Sequence, residues 1–342
     1  MPIAISDDHL MLGGTAADML ENRDARGAAR ALLEAPEEAL PEMWDEIAGL
    51  GWLGLHVPED LGGSGFGLEE LVVVVEELGR AVAPGPFVPT VIAGAVLASA
   101  DEEDAAKLVR GLVDGSVTAG VALAADVGLD GGAVFGQCEA VLGGGLAQLF
   151  VVTAGDDVVV VERGDGVTVE VPPNLDPSRR SAKVTFDGAE GIVVRGARSH
   201  LVDVARLVLS AEAVGVAREC TQLAAAYARE RQQFGRPIAM FQAVKHHCAN
   251  MSVASEMATA AVWDAARASA TGGDQFSFAA AVAATLAAPA ADLCANLNTQ
   301  VHGGIAITWE SDAHLYMRRA TALLNFLDAP RAAEDLVDLT RR

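Results

Sequence analysis

The stretch Arg229-Glu230-Arg231-Gln232-Gln233-Phe234-Gly235-Arg236-Pro237-Ile238-Ala239-Met240-Phe241-Gln242 constrains the fold more than any other, because helix breakers and strong donors sit together between two long helical patterns. Upstream, Ala217 to Ala228 contains no breaker. Gly235 and Pro237 then punctuate the chain in the order that ends one helix and opens the next. The spacing predicts helix, turn, helix. Arg, two Gln and Gly at such a junction suit an oxyanion. Arg231 offers a planar fork matching a phosphate, and the free N–H groups of the following helix start add a positive dipole end. The same residue types also describe an ordinary solvated helix end.

On either side of this junction the texture separates three regions. From Asp18 to Leu50 acidic and apolar residues alternate at helical spacing, divided by Pro36 and Pro41. The Gly-rich segment from Leu50 to Gly67 reads as a compact loop in which backbone approaches backbone. Leu68 to Leu78 is apolar at helical spacing and ends at Gly79, although Leu71 to Val75 alone also fits a strand; Ala93–Ser99 and 101–111 continue as helices. Around Thr118 the pattern changes to short β-branched runs: Ala133–Phe135, Leu149–Val152, Val158–Glu162, Val167–Val171 and Ala182–Phe186. Runs so short and evenly spaced predict a small β-barrel or sandwich. From about His200 the Ala-rich segments 207–229, 238–270, 275–297 and 312–326 suit a four-helix bundle. The expected class is therefore mostly α with a small β-domain, in three parts: helical 1–117, β 118–198 and bundle 199–342.

A formal net charge of −23 argues against nucleic acid and against an anionic membrane surface as partners. Met1 to Asp8 lacks the basic and apolar regions of a signal peptide, and no apolar run reads as a confident membrane span, so a cytoplasmic location is expected. Cys138, Cys220, Cys248 and Cys294 are widely spaced with no C-x-x-C pair, and are expected as small buried residues rather than a zinc site or disulfide framework. His246 and His247 have no further ligand at metal spacing, so no metal is expected.

Arg231-x-Gln233-Phe234-Gly235, with Gln242 eight residues after the Phe, resembles the flavin-contact motif of acyl-CoA dehydrogenases. Gln300-Val301-His302-Gly303-Gly304 resembles a second element of that family, and the run from Leu50 to Pro84 resembles its first-domain signature. The resemblance implies the family fold: N-terminal helices, a β-domain and a C-terminal four-helix bundle. It implies FAD, with Arg231, Gln233, Phe234, Gly235, Gln242, Gln300, Gly303 and Gly304 facing the pyrophosphate and adenosine half of a cofactor held mainly by a neighbouring subunit. It also implies an acyl-CoA substrate and an electron-transfer flavoprotein as acceptor.

Departures from the family pattern are equally informative. The residue types that hold the flavin ring are missing at Val121–Val127 and Leu142–Gly145, and there is no Trp between Leu53 and Val262. The two places that supply the family's catalytic base fall on Leu327, beside Asp328, and on Ala205, before Arg206. Neither is an acid, so no catalytic residue is assigned. The pattern resembles one subunit of the heteromeric acyl-CoA dehydrogenases of actinobacteria that act on sterol side chains, with a second dehydrogenase-like subunit supplying base and ring site in an α2β2 assembly. Two alternatives stay open: a self-sufficient enzyme using Asp328 or Glu310, and a flavin-free scaffold. Asp328 also reads as a helix cap and Glu310 as a solvated or paired acid.

Overall fold

The computed structural model describes residues 5–100 and 102–341. The expected helix start at Asp101 and the leader reading of Met1–Ala4 lie outside them. The chain forms two compact units, one of Met1–Arg26, Val72–Ala83 and Arg206–Arg342, the other of Gly27–Leu71 and Pro84–Ala205.

The second unit carries α2 (Ala25–Ala31), α3 (Trp44–Gly49), α5 (Phe87–Ala98), α6 (Glu103–Val113) and strands β1 (Ala119–Ala122), β2 (Asp126–Asp130), β3 (Ala133–Leu142), β4 (Leu149–Ala154), β5 (Asp157–Glu162), β6 (Val167–Glu170), β7 (Ser181–Glu190) and β8 (Ile192–Val194). α5 starts six residues before the expected Ala93, because Pro89 sits in its first turn, where a missing N–H breaks nothing. Its residues from Phe87 to Leu97 are all buried. The strands make one sheet in the order β6-β7-β3-β1-β4-β5-β8, with β2 paired to β3 off that order. β1 runs parallel to β4, with Val121 beside Val151, and the other pairs are antiparallel. β4 and β5 are buried at Leu149–Thr153 and Val158–Val161, which is why they read as unbroken apolar runs. Phe150, Phe186, Val134, Val152, Val159 and Val184 form the core against the sheet. β1 was not anticipated: Ala-Gly-Val-Ala is β-poor, and it is held by burial between β3 and β4. In the Gly-rich loop, a Cβ on Gly63 would lie 2.0 Å from the Val57 carbonyl oxygen, so close backbone approach is what the glycines there permit.

The first unit carries α1 (Asp7–Asn22), most of α4 (Leu68–Arg80) and α7 (Arg198–Glu230), then α8 (Gln242–Ala268), α9 (Gly273–His302), α10 (Ala313–Leu327) and α11 (Ala329–Thr340). α1 begins well before the expected Asp18, because Ser6 and His9 form a capping box that offsets Gly13 and Gly14. α4 and α7 cross at Gly79 and Gly215, where a Cβ would lie 2.3 Å from the Glu212 oxygen and 2.0 Å from the Glu76 oxygen. The crossing is tied by charge. Arg319 is fully buried, donates to Glu212 at 2.6 Å and reaches the Ala83 carbonyl at 3.3 Å. Glu219 accepts from both Arg80 and Arg26 at 3.1 and 3.2 Å, and Arg218 pairs with Glu76. α11 adds a fifth long element to the expected four. Pro330 is at the start of that helix, where proline is tolerated, rather than a terminator.

Contrary to expectation, the segment Gly273–Ile307 is long and apolar enough to cross a membrane by length and composition. Its Ala-rich stretch is instead 61% buried inside the protein, where small side chains let α8 and α9 approach closely. Cys138, Cys220 and Cys294 are buried as expected, but Cys248 is only half-buried.

Candidate functional site

The turn after α7 differs from the predicted helix-turn-helix. Arg231 N–H still donates to Tyr227 at 2.8 Å, but its carbonyl accepts from Ile238 N–H at 2.8 Å, so the chain doubles back on itself. Between them Gln232–Gln233 (β9) pairs antiparallel with Arg236–Pro237 (β10). Phe234 and Gly235 form a two-residue loop with φ of 54° and 76°, the signature of a type I′ turn. Such a turn favours Asn-Gly, so a bulky Phe in the left-handed region costs on the order of 1–2 kcal/mol. That Phe is also 90% exposed. A single 3-10 turn, Ile238–Met240, follows, and α8 starts only at Gln242, not at 238.

The second motif ends α9. The Gly303 N–H donates to Thr299 and its φ of 65° breaks the helix. His302 Nδ1 lies 2.9 Å from the Asn298 carbonyl, and its ring stacks on Tyr227 with centroids 4.3 Å apart and planes 23° apart. Tyr227 is one helical turn before Arg231 and His302 is next to Gly303. This one stack therefore brings the two motifs together. Tyr227 escaped the sequence reading, although a ring four residues before Arg231 occupies the same helix face.

No residue from 229 to 250 is buried. Arg231, Gln233, Gly235, Gln242, Gln300, Gly303 and Gly304 are all exposed, as is Met240. The first turns of α8, from Gln242 to Asn250, hold no buried residue, and Cys248 is half-buried among them. A Cβ on Gly235, Gly303 or Gly304 would meet nothing within 4 Å. Positive φ explains glycine at 235 and 303; at 304 neither φ nor any described neighbour does. Exposed Arg and Gln donors beside an open glycine turn fit the pyrophosphate of an FAD molecule approaching from outside.

The ring side has the opposite character. Gly143-Gly144-Gly145 is filled by this chain's own atoms: a Cβ there would lie 2.7 Å from Pro89, 3.0 Å from Ala182 and 3.1 Å from Val171. Glu38 lies over the turn and accepts from the Arg180 N–H at 3.2 Å, and the Arg180 guanidinium in turn donates to the carbonyls of Ala35, Pro36 and Pro177. Burial pushes the Glu38 carboxyl up to about 7, against the pull of the Arg180 backbone bond and charge. The residues present here do not fit an isoalloxazine ring. An open depression of about 390 Å³ lies on the sheet at Asp126, Gly136, Gln137, Thr185, Phe186 and Asp187. It holds none of the expected site residues.

At the two base positions, Leu327 and Ala205 are buried and apolar. Arg206 is taken by Asp335 at 2.5 Å. Asp328 has φ 42°, ends α10 and caps α11 by accepting the Arg331 N–H at 3.3 Å. Glu310 is exposed in the loop before α10, next to Trp309, whose ring meets His314 edge-on at 5.1 Å.

Comparison with known proteins gives a consistent outcome. Residues 6–116 match the family model for the acyl-CoA dehydrogenase N-terminal domain, and residues 196–324 the C-terminal domain. The chain is 39% identical to acyl-CoA dehydrogenase FadE34 of Mycobacterium tuberculosis over 93% of its own length, but spans only 45% of that protein. It is 32% identical to acyl-CoA dehydrogenase IpdE2 of the same organism, covering 95% of this chain and 94% of the relative. Among solved structures, a variant of the Tcur3481-Tcur3483 steroid ACAD superposes with a TM-score of 0.91 at 29% identity, covering 98% of both chains. The ChsE4-ChsE5 complex from Mycobacterium tuberculosis superposes with 0.90 at 26%, covering 100% and 98%.

Proposed function

The chain belongs to the acyl-CoA dehydrogenase family, oxidoreductases acting on CH–CH bonds, and from that premise we propose that it is the subunit of a heteromeric, steroid-type enzyme that lends the adenosine side of an FAD site to a partner. When bound, FAD supplies the hydride acceptor for α,β-dehydrogenation of an acyl-CoA thioester. Arg231 holds pyrophosphate charge through its fork, Gln233, Gln242 and Gln300 donate and accept around it, and Gly303-Gly304 leaves room for close approach. Phe234 seats in apolar surroundings across the interface, where burying it contributes about 1.5–3 kcal/mol. The partner supplies the ring site and the carboxylate that removes the α-proton, since Leu327 and Ala205 hold no proton acceptor. An electron-transfer flavoprotein accepts the electrons, and the complex works in the cytoplasm.

The carrying observation is the wholly unburied stretch 229–250. It combines a strained, exposed Phe with the whole of the first motif, the second motif's Gln300, Gly303 and Gly304 are exposed as well, and folded chains rarely leave such a surface uncovered. Steroid and complex-forming relatives at high coverage support the same reading. Asp328 is committed to a cap and Glu310 is solvated, which disfavours self-sufficiency. The test is the visible spectrum of the tagged chain purified alone and again with the dehydrogenase-like subunit that copurifies from its host. The expected result is a colourless chain and a yellow complex that bleaches with acyl-CoA. A yellow, bleachable chain on its own rejects the proposal, and so does a partner that keeps its flavin without this chain.

A further inference from the structure

The hairpin places a second arginine beside the first. In the register Gln233 opposite Arg236 and Gln232 opposite Pro237, Ile238 is opposite Arg231. Side chains alternate along each strand, so Arg231, Gln233, Arg236 and Ile238 share one face of the ladder. Arg231 and Arg236 are then diagonal neighbours, a spacing of about 7–8 Å at the backbone that long side chains bridge easily.

Two guanidinium groups at this spacing repel each other. A carboxylate between them would normally relieve that, yet neither has one among the described residues, and the sequence from Arg231 to Ser255 contains no Asp or Glu. The contrast is with a chain that carries 47 acids against 24 Lys and Arg. Meanwhile Arg236 is not loose. Its guanidinium lies over the Phe241 ring, 4.4 Å from the centroid, and Phe241 in turn meets Phe234 edge-on at 6.1 Å. The cation–π stack fixes one face of the fork and leaves its N–H edge available. The hairpin thus presents two cations and one amide on one exposed face, short of one anion.

We infer that Arg236 is a second guanidinium for the FAD pyrophosphate, so that this chain delivers a two-arginine clamp, with Phe241 as the positioning ring of the second arm. The inference rests on the reading that the adenosine half of FAD binds here. It extends that reading to a residue for which the sequence pattern gave no role.

The test uses the complex purified through a tag on this chain, stripped of flavin and titrated with FAD by fluorescence quenching at two salt concentrations. Arg236→Gln is expected to weaken FAD by about 10-fold or more, the worth of a lost charge-assisted pair, and to flatten the salt dependence. Arg236→Lys keeps the charge, and with it the salt dependence, but loses the bidentate fork, so its affinity falls between the two. Phe241→Leu, which keeps an apolar cap but no π face, weakens FAD less than Arg236→Gln does. Arg231→Gln is the control. If it weakens FAD while Arg236→Gln changes neither affinity nor salt slope, the second arm is wrong and the site stands. If neither variant matters, or the complex binds no FAD, the site itself is wrong and the clamp falls with it.

Discussion

A Cβ built on Gly303 or Gly304 meets nothing within 4 Å, whereas one built along Gly143-Gly144-Gly145 runs into Pro89, Ala182 and Val171 between 2.7 and 3.1 Å. Both are glycine turns, but the glycines answer to different neighbours. At 143–145 they make room for the chain's own packing, and the strap from Ala35 to Glu38 covers them through Arg180. At 303–304, and at Gly235, they leave space that no described residue fills. The comparison separates a closed turn, packed by the chain's own atoms, from an open turn, where the proposed adenosine side of the FAD site lies.

The largest effect comes from forcing the closed turn. Gly143→Ala adds a Cβ 2.7 Å from Pro89 at a residue with φ 70°, and is expected to cost about 2–4 kcal/mol in chemical denaturation of the isolated chain. A loss below about 1 kcal/mol would mean that the turn opens readily, and the contrast would fail.

Next is the strap. Because burial holds the Glu38 carboxyl at about 7, the folded chain binds that proton more tightly than the unfolded chain does. Stability from this group is therefore full below the ordinary value near 4.5 and is lost as pH rises to 7. Glu38→Gln is expected to stabilise the chain by about 1–3 kcal/mol near pH 8 and to change little near pH 4. Parallel denaturation curves at the two pH values check it; a destabilised variant at the higher pH would show that the charged form, with Arg180, is the one the strap is built for.

Smaller effects sharpen the open side. Phe234→Asn suits the type I′ turn and is expected to raise the isolated chain's stability by up to about 1 kcal/mol while weakening its hold on the partner by on the order of 10-fold. A tighter complex would remove the case for Phe234 as an interface anchor. Gly304→Ala is expected to leave the isolated chain within about 0.5 kcal/mol of the parent, yet to lower flavin occupancy in the complex. Equal occupancy in parent and variant would leave that glycine unexplained.

Much of this was legible in the sequence, for identifiable reasons. Long periodic segments gave α7, α8 and α9, and the β-branched runs gave β4, β5 and β7, because burial stamps its period on the residues. The motif residues were legible through their resemblance to the family's motifs, and the structure leaves each of them exposed. What stayed hidden depends on through-space partners. Gln232-Gln233 has no strand propensity to mark β9, and only the Arg231 carbonyl's bond to Ile238 reveals the hairpin. The stack of Tyr227 on His302 joins residues far apart in sequence. Glu38 reads as one more surface acid until Arg180 and the glycine turn close over it. β1 is too Ala- and Gly-rich to read as a strand, and only its place inside the sheet makes it one.

The central claim is that the adenosine side of the flavin site belongs to this chain and the ring side to another. Native mass spectrometry of the intact complex tests it most directly. Closed symmetry favours a dimer of heterodimers, and the account predicts an even-numbered hetero-oligomer with one FAD per heterodimer, losing flavin when Arg231 is replaced by Ala. A homo-tetramer of this chain carrying one FAD per subunit would contradict it.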